Sequence, residues 1–442
     1  MEFGKHIGKG LWAFADKALP AIYGVGFILL VIRVLPDSEY GAFVVVQSMV
    51  TIVTALGGSL ALQPLTKFSA ETKENGEYIV ASLGLLAAFF ALVSLVTVVG
   101  GGYLVSILLP TDDGKVAGLL RLYMPLLLFS GFYRIFATAL LQASYAVARI
   151  FWIDAVYFLG TLLLIAWAGL VGRFSSASEL LALITAGQAL STVLAVVLAR
   201  KAMSVRKGYN PAALRQIWDF GKYTFGGSSI YSVFSQLDIF FISSFVGVAG
   251  VAVYSASKIF TRIFDMVAQV AQMFLVPYSS KTYREGGLDK MKTTAEKAIC
   301  FSTILLLPVL LVMVFLPGPA MHLLYRGKYD HGALIVQIFG FIALITPWNV
   351  VLSNFIVGIG KAKETFYYAV LFLCVSAASF FACTRWFGVA GAAAAYVGSF
   401  LFITVVLFVY IQRFFPLSLT AVAARTRDFL MFVRHTLSTG RF

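Results

Sequence analysis

Charged residues are scarce in this sequence: they make up 12% of the chain, and cysteine is rarer still, with three residues. Soluble domains carry about 25% charged residues, so this composition argues against a water-soluble protein. Cys300, Cys374 and Cys383 lie within apolar stretches and lack metal-ligand spacing, so we assign them packing roles. Apolar residues make up 60% of the chain, which predicts a membrane protein that crosses the bilayer many times.

About twelve apolar stretches are long enough to cross ~30 Å of hydrocarbon as helices that rise about 1.5 Å per residue. Their approximate bounds are 10–35, 41–66, 78–108, 118–143, 150–171, 178–199, 219–245, 250–276, 295–316, 333–359, 364–386 and 389–412. The first lacks the short apolar region and the Ala-x-Ala cleavage site of a signal peptide, so we expect it to be retained. The sequence therefore predicts an all-α polytopic membrane protein.

The sequence is basic, with 34 Lys and Arg against 20 Asp and Glu. These basic residues concentrate in alternate connections between the spans, a distribution that follows the membrane and argues against a nucleic-acid partner. Because loops rich in Lys and Arg stay on the cytoplasmic side, the pattern places both termini in the cytoplasm. The richest run, Arg200 to Arg215, is expected to lie on anionic lipid headgroups.

An internal repeat relates the two halves of the chain. The polar positions of span two recur in span eight with the same spacing, first as Gln47, Thr51, Thr54 and Gly58 and then as Lys258, Arg262, Asp265 and Gln269. Two parallel repeats of six spans explain this match. The predicted organisation is an N-terminal lobe at 1–199, a basic cytoplasmic linker at 200–217, a C-terminal lobe at 218–412 and a basic amphipathic cytoplasmic tail at 413–442, which we expect to form an interfacial helix.

The polar residues of span eight lie on one stripe of a continuous helix in this prediction. Ionisable side chains cost about 2.5–3.5 kcal/mol each at the bilayer centre, so the stripe must face protein or a watery cavity. Lys258 and Arg262 repel each other, and Asp265 neutralises only one of them. Two interpretations follow: an anion site, or a closed cluster in which Asp265 and Asp238 pair the two cations.

Further ionisable side chains fall inside predicted spans. Arg134 of span four either faces a cavity or pairs with Asp154 of span five. Span seven is unusually polar, and we expect the stripe that begins at Lys222 to share a compartment with span eight. Asp16 and Lys17 either lie at the headgroups or line the mouth of the cavity.

Two carboxylates are candidates for ion coupling. Burial and a neighbouring cation act in opposite directions on the protonation of a carboxylate. Asp238 and Asp265 combine both influences, so either could exchange protons during a transport cycle.

Several short motifs carry a resemblance to a known family: Leu35-Pro36-Asp37-Ser38-Glu39-Tyr40-Gly41-Ala42-Phe43, Val253-Tyr254-Ser255-Ala256-Ser257-Lys258 with Asp238 before it, Leu324-Tyr325-Arg326-Gly327-Lys328-Tyr329, and Gly358-Ile359-Gly360-Lys361-Ala362-Lys363. They resemble the polysaccharide transporter family, the O-antigen flippases of the multidrug, oligosaccharidyl-lipid and polysaccharide (MOP) exporter superfamily. The resemblance covers nearly the whole chain and contains no catalytic signature. It implies two pseudo-symmetric six-helix bundles around a central cavity that opens alternately to either side.

The resemblance also implies a function. Members of the family move undecaprenyl-diphosphate-linked oligosaccharides, such as O-antigen, capsule or exopolysaccharide repeat units, from the cytoplasmic to the periplasmic leaflet of the bacterial inner membrane. It implies a monomeric flippase, not an enzyme, coupled to H⁺ or Na⁺, without metal or cofactor, whose partners are the lipid-linked glycan, membrane lipids and a glycan polymerase complex. The cationic substrate path would comprise Arg134, Lys222, Lys258, Arg262, Lys17, Gln47 and Gln269, and the ion-coupling candidates are Asp238, Asp265 and Asp16.

Two other classes of protein remain open at this point. A multidrug antiporter of the same superfamily would share the fold, but a cavity for organic cations should be net negative, whereas the charges above are net positive. A membrane glycan polymerase or ligase should carry a sizeable external loop with catalytic groups, and the predicted external loops are short. The length of the chain also argues against the fourteen-span pattern of the lipid II flippases of the same superfamily.

Overall fold

The computed structural model describes residues 3–71, 76–108, 114–144, 146–172, 174–200, 202–203, 210–359, 361–429 and 431, and these residues form helices and short connections without a strand. The chain separates into two compact units, Met1–Ala252 and Val253–Phe442. An all-α fold is therefore confirmed.

The first unit is built from helices that follow one another through short connections. They are α1 (Phe3–Phe27), which continues into a π-helical turn (Ile28–Ile32), α2 (Asp37–Gly57), which continues into a second π-helical turn (Gly58–Leu62), α3 (Gln63–Glu71), α4 (Gly76–Leu108), α5 (Lys115–Ala143), α6 (Val147–Leu170), α7 (Ala177–Ala199) and α8 (Pro211–Phe245).

Local sequence explains where two of these helices begin. Ser176 Oγ accepts a hydrogen bond from Glu179 N at 3.3 Å, and the Glu179 carboxylate accepts one from Ser176 N at 3.1 Å, which is a capping box at the start of α7. At the start of α8, Asn210 Oδ1 accepts from Ala212 N at 2.9 Å, and Pro211 occupies the first helical position, where it has no hydrogen bond to lose.

Helix α8 packs closely on the π-helical turn that follows α2. A side chain at Gly221 would overlap the carbonyl oxygen of Leu60, so only glycine allows this approach. Thr224 Oγ1 donates a hydrogen bond to Ser59 O at 2.6 Å, within that turn. The helix of predicted span seven thus packs within the first compact unit, whereas the sequence assigned it to the C-terminal lobe. The functional division into lobes stays a prediction.

The second unit contains the remaining helices. Helix α9 (Val248–Lys258) straddles the boundary and is followed by a 3₁₀ turn (Ile259–Thr261), α10 (Arg262–Phe315), α11 (Pro317–Tyr325), a 3₁₀ turn (Asp330–Gly332), α12 (Ala333–Gly340), α13 (Ile342–Gly358), α14 (Ala362–Ile411) and α15 (Leu419–Ala424). Its core joins α10, α13 and α14, and it includes the fully buried Met291, Leu352 and Ile411.

Among the described residues, eight helices are long and apolar enough to cross a membrane. The longest of them, Phe366–Ile411, covers predicted spans eleven and twelve, and α14 is broken at Gly388, whose φ of 60° marks the boundary between the two. Gly287, with φ 67°, likewise breaks α10 between predicted spans eight and nine. Predicted spans one, seven and eight are not among the eight helices, and spans seven and eight carry Lys222, Asp238, Lys258, Arg262 and Asp265.

The motif after span one ties three helices together. Glu39 on α2 accepts a hydrogen bond from the backbone N of Ala177 at 2.8 Å, at the start of α7, and also pairs with Lys115 at the start of α5. A side chain at Gly41 would overlap the carbonyl oxygen of Val248. Glu39 and Gly41 therefore serve packing at this end of the bundle.

The tail packs against α10 as far as the structure describes it. Val422 is buried in the core of the second unit, and the Phe429 ring meets Phe301 of α10 edge-on at 5.1 Å between centroids. Apolar residues of α15 therefore find partners in the core of the second unit. The predicted location of the tail at the membrane interface stays a prediction. Residues 432–442 lie outside the described part of the chain.

Candidate functional site

The basic pair of span eight lies at a change of helix type. Helix α9 ends at Lys258, a 3₁₀ turn occupies Ile259–Thr261, and α10 begins at Arg262. The sequence predicted one continuous helix, which the structure corrects. The physical reason is local: Thr261 Oγ1 donates to the Lys258 carbonyl oxygen at 2.7 Å, a side-chain bond that competes with the helical pattern. A 3₁₀ stretch within a span often marks a functional position.

The backbone before this turn is held by buried hydrogen bonds. The hydroxyl of Tyr325, which is 1% exposed, donates to the Ala256 carbonyl oxygen at 2.7 Å. Ser257 is buried, and its Oγ lies 2.9 Å from the carbonyl oxygen of Val253 and 3.4 Å from that of Gly332. The family motif around Tyr325 thus positions the backbone that presents Lys258.

The Lys258 ammonium lies against two aromatic rings. Its Nζ is 4.9 Å from the centroid of the Tyr396 ring and 5.7 Å from that of Tyr254, within the range of cation–π attraction. The Tyr254 ring is fully buried and also contacts Phe339, with centroids 5.4 Å apart. Tyr396 is half-buried. The lysine is therefore positioned by aromatic groups that the sequence analysis did not single out.

Arg262 and Asp265 are exposed at the start of α10. Asp265 is attracted electrostatically to Lys258 and to Arg262. Whether the group is an anion site or a closed charge cluster stays a prediction. These three side chains by themselves carry one more positive than negative charge. The side chain of Gln269, a further candidate, lies outside the described residues.

Arg134 in the first unit forms an ion pair. Its Nη1 donates to Asp154 Oδ1 on α6 at 2.9 Å, and its guanidinium lies 4.2 Å from the centroid of the Tyr157 ring. Both charged side chains are largely buried, at 14% and 19% exposure. Of the two alternatives for Arg134, the structure therefore has the pair with Asp154. Its place in a substrate path stays a prediction.

A polar network surrounds this pair. Gln188 Oε1 on α7 accepts from Ser130 Oγ of α5 at 2.9 Å, and the Tyr157 ring of α6 lies against the Arg134 guanidinium. Thr192 Oγ1 donates to the Ser130 carbonyl oxygen at 2.6 Å. Gln188 and Tyr157 were not among the candidates of the sequence analysis. The signal that could have found them is the presence of polar residues at matching depth in neighbouring spans. The network joins α5, α6 and α7.

The other candidates belong to helices α1, α2 and α8 of the first unit. Lys222 is exposed and pairs with Asp219 at 2.7 Å, one turn earlier on α8. Gln47 is half-buried on α2, and its Oε1 accepts no hydrogen bond from the described residues. Asp238 is 1% exposed, and its Oδ1 accepts from Ile239 N at 2.9 Å. Asp16 is half-buried on α1, and the side chain of Lys17 lies outside the described residues.

The long apolar helices of the described residues identify a multi-pass membrane protein. A family model described as "Polysaccharide biosynthesis protein" matches residues 11–283, and the chain belongs to that family. A second model, MatE, matches residues 224–381. An uncharacterized membrane protein of Methanocaldococcus jannaschii is 26% identical over 149 residues, a match that spans 34% of this chain and 29% of that relative.

Solved structures share the fold at low sequence identity. A lipid II flippase, MurJ, in an inward closed conformation superposes with a TM-score of 0.75 and 10% identity, over 98% of this chain and 93% of that chain. An inward-facing multidrug resistance MATE transporter gives 0.72 and 16%, over 94% and 99%. A MOP superfamily transporter from Pyrococcus furiosus gives 0.64 and 15%, over 91% and 93%. The chain therefore has the MOP fold, which about twelve transmembrane helices fit.

Proposed function

We propose that this protein is a flippase that moves undecaprenyl-diphosphate-linked oligosaccharide, such as an O-antigen, capsule or exopolysaccharide repeat unit, from the cytoplasmic to the periplasmic leaflet of a bacterial inner membrane by alternating access. Membership of the polysaccharide biosynthesis protein family supports a glycan cargo. The structural similarity to a lipid II flippase supports a fold that suits the transport of a lipid-linked glycan.

The observation that carries the proposal is the cationic pair at the 3₁₀ turn of span eight. Lys258 and Arg262 lie four residues apart in predicted span eight, and the Asp265 carboxylate interacts electrostatically with both. Basic side chains in a predicted span attract anionic groups. A diphosphate supplies two phosphoryl groups of the opposite sign. We infer that the cargo's diphosphate compensates this charge during transport.

The two basic side chains suit different parts of that task. A guanidinium presents a planar fork that matches phosphate oxygens, so Arg262 would bind one phosphate through paired hydrogen bonds. Lys258 would act as a compact point charge on the other phosphate. The prenyl chain needs no polar path and stays in the lipid, while the sugars follow the diphosphate through water.

Ion coupling completes the proposed cycle. Asp238 of span seven and Asp265 of span eight are the candidate acids, and their protonation or Na⁺ binding would change the charge that the diphosphate meets. An imposed gradient of H⁺ or Na⁺ would then favour release on the periplasmic side. The exposed basic surface near Lys222 would receive the anionic headgroup from the cytoplasmic leaflet.

The proposal is tested with the full-length protein in liposomes that contain undecaprenyl diphosphate linked to a fluorescent oligosaccharide. A membrane-impermeant quencher reports how fast the probe leaves the outer leaflet. We expect rapid exchange with the protein and slow exchange in protein-free liposomes. A matched probe with the same chain and sugars but a neutral linkage should move no faster than in protein-free liposomes. Equal rates for the two probes, or no rate above background, would refute the proposal.

A second candidate function rests on the MatE match over residues 224–381. A multidrug antiporter would export organic cations, which suit an acidic binding site. The described charges of span eight are net positive, with Lys258 and Arg262 against Asp265, and this disfavours a cationic cargo. Ethidium efflux from the same liposomes tests this alternative. Gradient-driven ethidium transport without exchange of the glycan probe would establish it.

A further inference from the structure

A group of basic, aromatic and amide side chains lies where three helices of the first unit meet. Lys67 on α3 is exposed, and its Nζ lies 4.4 Å from the centroid of the Phe220 ring of α8. The Phe68 ring lies 6.0 Å from that of Phe220 and stacks on the Tyr78 ring of α4 at 5.1 Å. The Tyr78 hydroxyl donates to Gln216 Oε1, on α8, at 2.6 Å. These five side chains form one connected surface, which we call the Lys67 cluster.

The Lys67 cluster lies at the level where the apolar helices meet the lipid headgroups. The candidate membrane span Asp37–Ser69 ends two residues after Lys67, and the span Gly76–Tyr103 begins two residues before Tyr78. Aromatic rings are enriched at this level, and a lysine there meets the phosphates of the lipid. The distribution of basic residues predicts that this end of the helices faces the cytoplasm.

We propose that the Lys67 cluster is a binding site for the headgroup of a singly charged anionic phospholipid. The Lys67 ammonium would pair with the phosphate. The exposed Gln216 amide would donate to it through Nε2, since Gln216 Oε1 already accepts from Tyr78. The Phe68 and Phe220 rings attract the ammonium without neutralising it, so the lysine keeps its positive charge. This inference does not depend on the proposed flippase function.

The charge of the cluster suits one phosphodiester. Lys222 and Arg215, also on α8, both pair with Asp219, at 2.7 and 3.8 Å, so these two cations share a carboxylate within their own helix. Lys67 is the cation of the cluster, and its single charge matches the single negative charge of phosphatidylglycerol better than the several charges of a diphosphate. The site is therefore assigned to a membrane phospholipid and not to the lipid-linked cargo.

The helix that carries Phe220 is fixed beside the cluster. Gly221, the next residue, packs directly on the carbonyl oxygen of Leu60. Asn210 at the start of α8 donates to the Glu77 carboxylate at the start of α4. The ring under the lysine is therefore held in place before a lipid arrives. A site that is ordered in advance loses less conformational freedom on binding, which raises affinity.

The test measures lipid binding to the full-length protein in a neutral detergent by native mass spectrometry. Phosphatidylglycerol is the probe, phosphatidylcholine with the same acyl chains is the lipid without net charge, and undecaprenyl diphosphate represents the carrier. Lys67→Met removes the cation. Gln216→Glu keeps an acceptor for Tyr78 but places a negative charge where the phosphate would bind. Lys290→Met is the matched control, because Lys290 is an exposed lysine of α10 outside the cluster.

We expect the wild type to bind its first phosphatidylglycerol about fivefold more tightly than phosphatidylcholine, the factor that corresponds to about 1 kcal/mol for one basic residue at a lipid surface. Lys67→Met and Gln216→Glu should remove this preference, and Lys290→Met should keep it. Thermal unfolding without added lipid should be that of the wild type in all three variants.

Two results would overturn the inference. The first is an unchanged preference in Lys67→Met, or an equal loss in Lys290→Met, which would show that the Lys67 cluster is not the site. The second is tighter binding of undecaprenyl diphosphate than of phosphatidylglycerol that Lys67→Met removes, which would assign the cluster to the carrier and not to a phospholipid.

Discussion

Two nitrogens of the Arg425 guanidinium donate to a single oxygen of the Glu296 carboxylate, Nε at 3.0 Å and Nη2 at 2.7 Å. Glu296 is 2% exposed on α10, and Arg425 follows α15 in the tail. The same arginine contacts Asp428 at 3.5 Å, and Asp428 also pairs with Lys297 at 3.2 Å. A charged network therefore fastens the tail to the helix after the Gly287 break.

The first prediction concerns this network. Arg425→Ala leaves a buried carboxylate without its cation, so we expect a loss of about 3 kcal/mol of stability, the lower end of the range for buried pairs because Arg425 is 31% exposed. Thermal unfolding of the full-length protein in detergent measures it. The control is Arg427→Ala, two residues further along and exposed, which should change little. Equal losses in both variants would contradict the role of the pair.

The second prediction concerns Arg134 and Asp154. Removing either partner leaves the other charge largely buried in a span, so Arg134→Met and Asp154→Leu should each destabilise the protein by about 3 kcal/mol. The double variant should recover most of that loss, since both charges are then gone. Thermal unfolding of the three variants completes the cycle. If the double variant also exchanges the glycan probe, Arg134 is structural; if it is stable but inactive, Arg134 belongs to the substrate path.

The third prediction concerns the close approach of α8 to the turn after α2. Gly221→Ala places a methyl group on the Leu60 carbonyl oxygen and should destabilise the protein by about 1–3 kcal/mol. Gly226→Ala, on the same helix, meets no atom within 4 Å and should be neutral or stabilise by about 0.5–1 kcal/mol. Thermal unfolding compares them directly. A tolerated Gly221→Ala would show that this packing is not tight.

The fourth prediction concerns ion coupling through Asp238. This carboxylate is 1% exposed in a polar span, where its protonation or pairing with Na⁺ alters the charge that a ligand meets. We expect imposed H⁺ or Na⁺ gradients to accelerate exchange of the glycan probe, and Asp238→Asn to abolish the acceleration. Asp289→Asn, at an exposed acid of α10, should keep it. Full acceleration in Asp238→Asn would shift the coupling role to Asp265 or Asp16.

Sequence reasoning reached the fold because apolar length decides where a helix crosses a membrane. The predicted boundary between spans eleven and twelve falls at Gly388, where the structure breaks α14. The sequence analysis left two alternatives for Arg134, of which the pair with Asp154 was one. It could not choose between them because one sequence does not specify how neighbouring helices rotate about their axes. The 3₁₀ turn at Ile259–Thr261 was also missed, because it depends on a side-chain bond from Thr261 that periodicity does not register.

The candidate site shows the same limit. The charges of Lys258, Arg262 and Asp265 could be read from their spacing in one span. Tyr396 lies far along the chain, and its approach to Lys258 arises only when α14 packs beside α9 and α12. An aromatic residue in an apolar span gives no signal that distinguishes packing from a contact with a cation.

The most direct test of the central claim is the exchange rate of the undecaprenyl-diphosphate-linked probe in liposomes that contain Arg262→Ala. The control is Arg385→Ala, another exposed arginine of the second unit. Charged hydrogen bonds contribute about 1.5–3 kcal/mol, so we expect Arg262→Ala to slow exchange at least about tenfold while folding normally, Arg262→Lys to retain part of the rate, and Arg385→Ala to match the wild type. Wild-type exchange by Arg262→Ala would contradict the account.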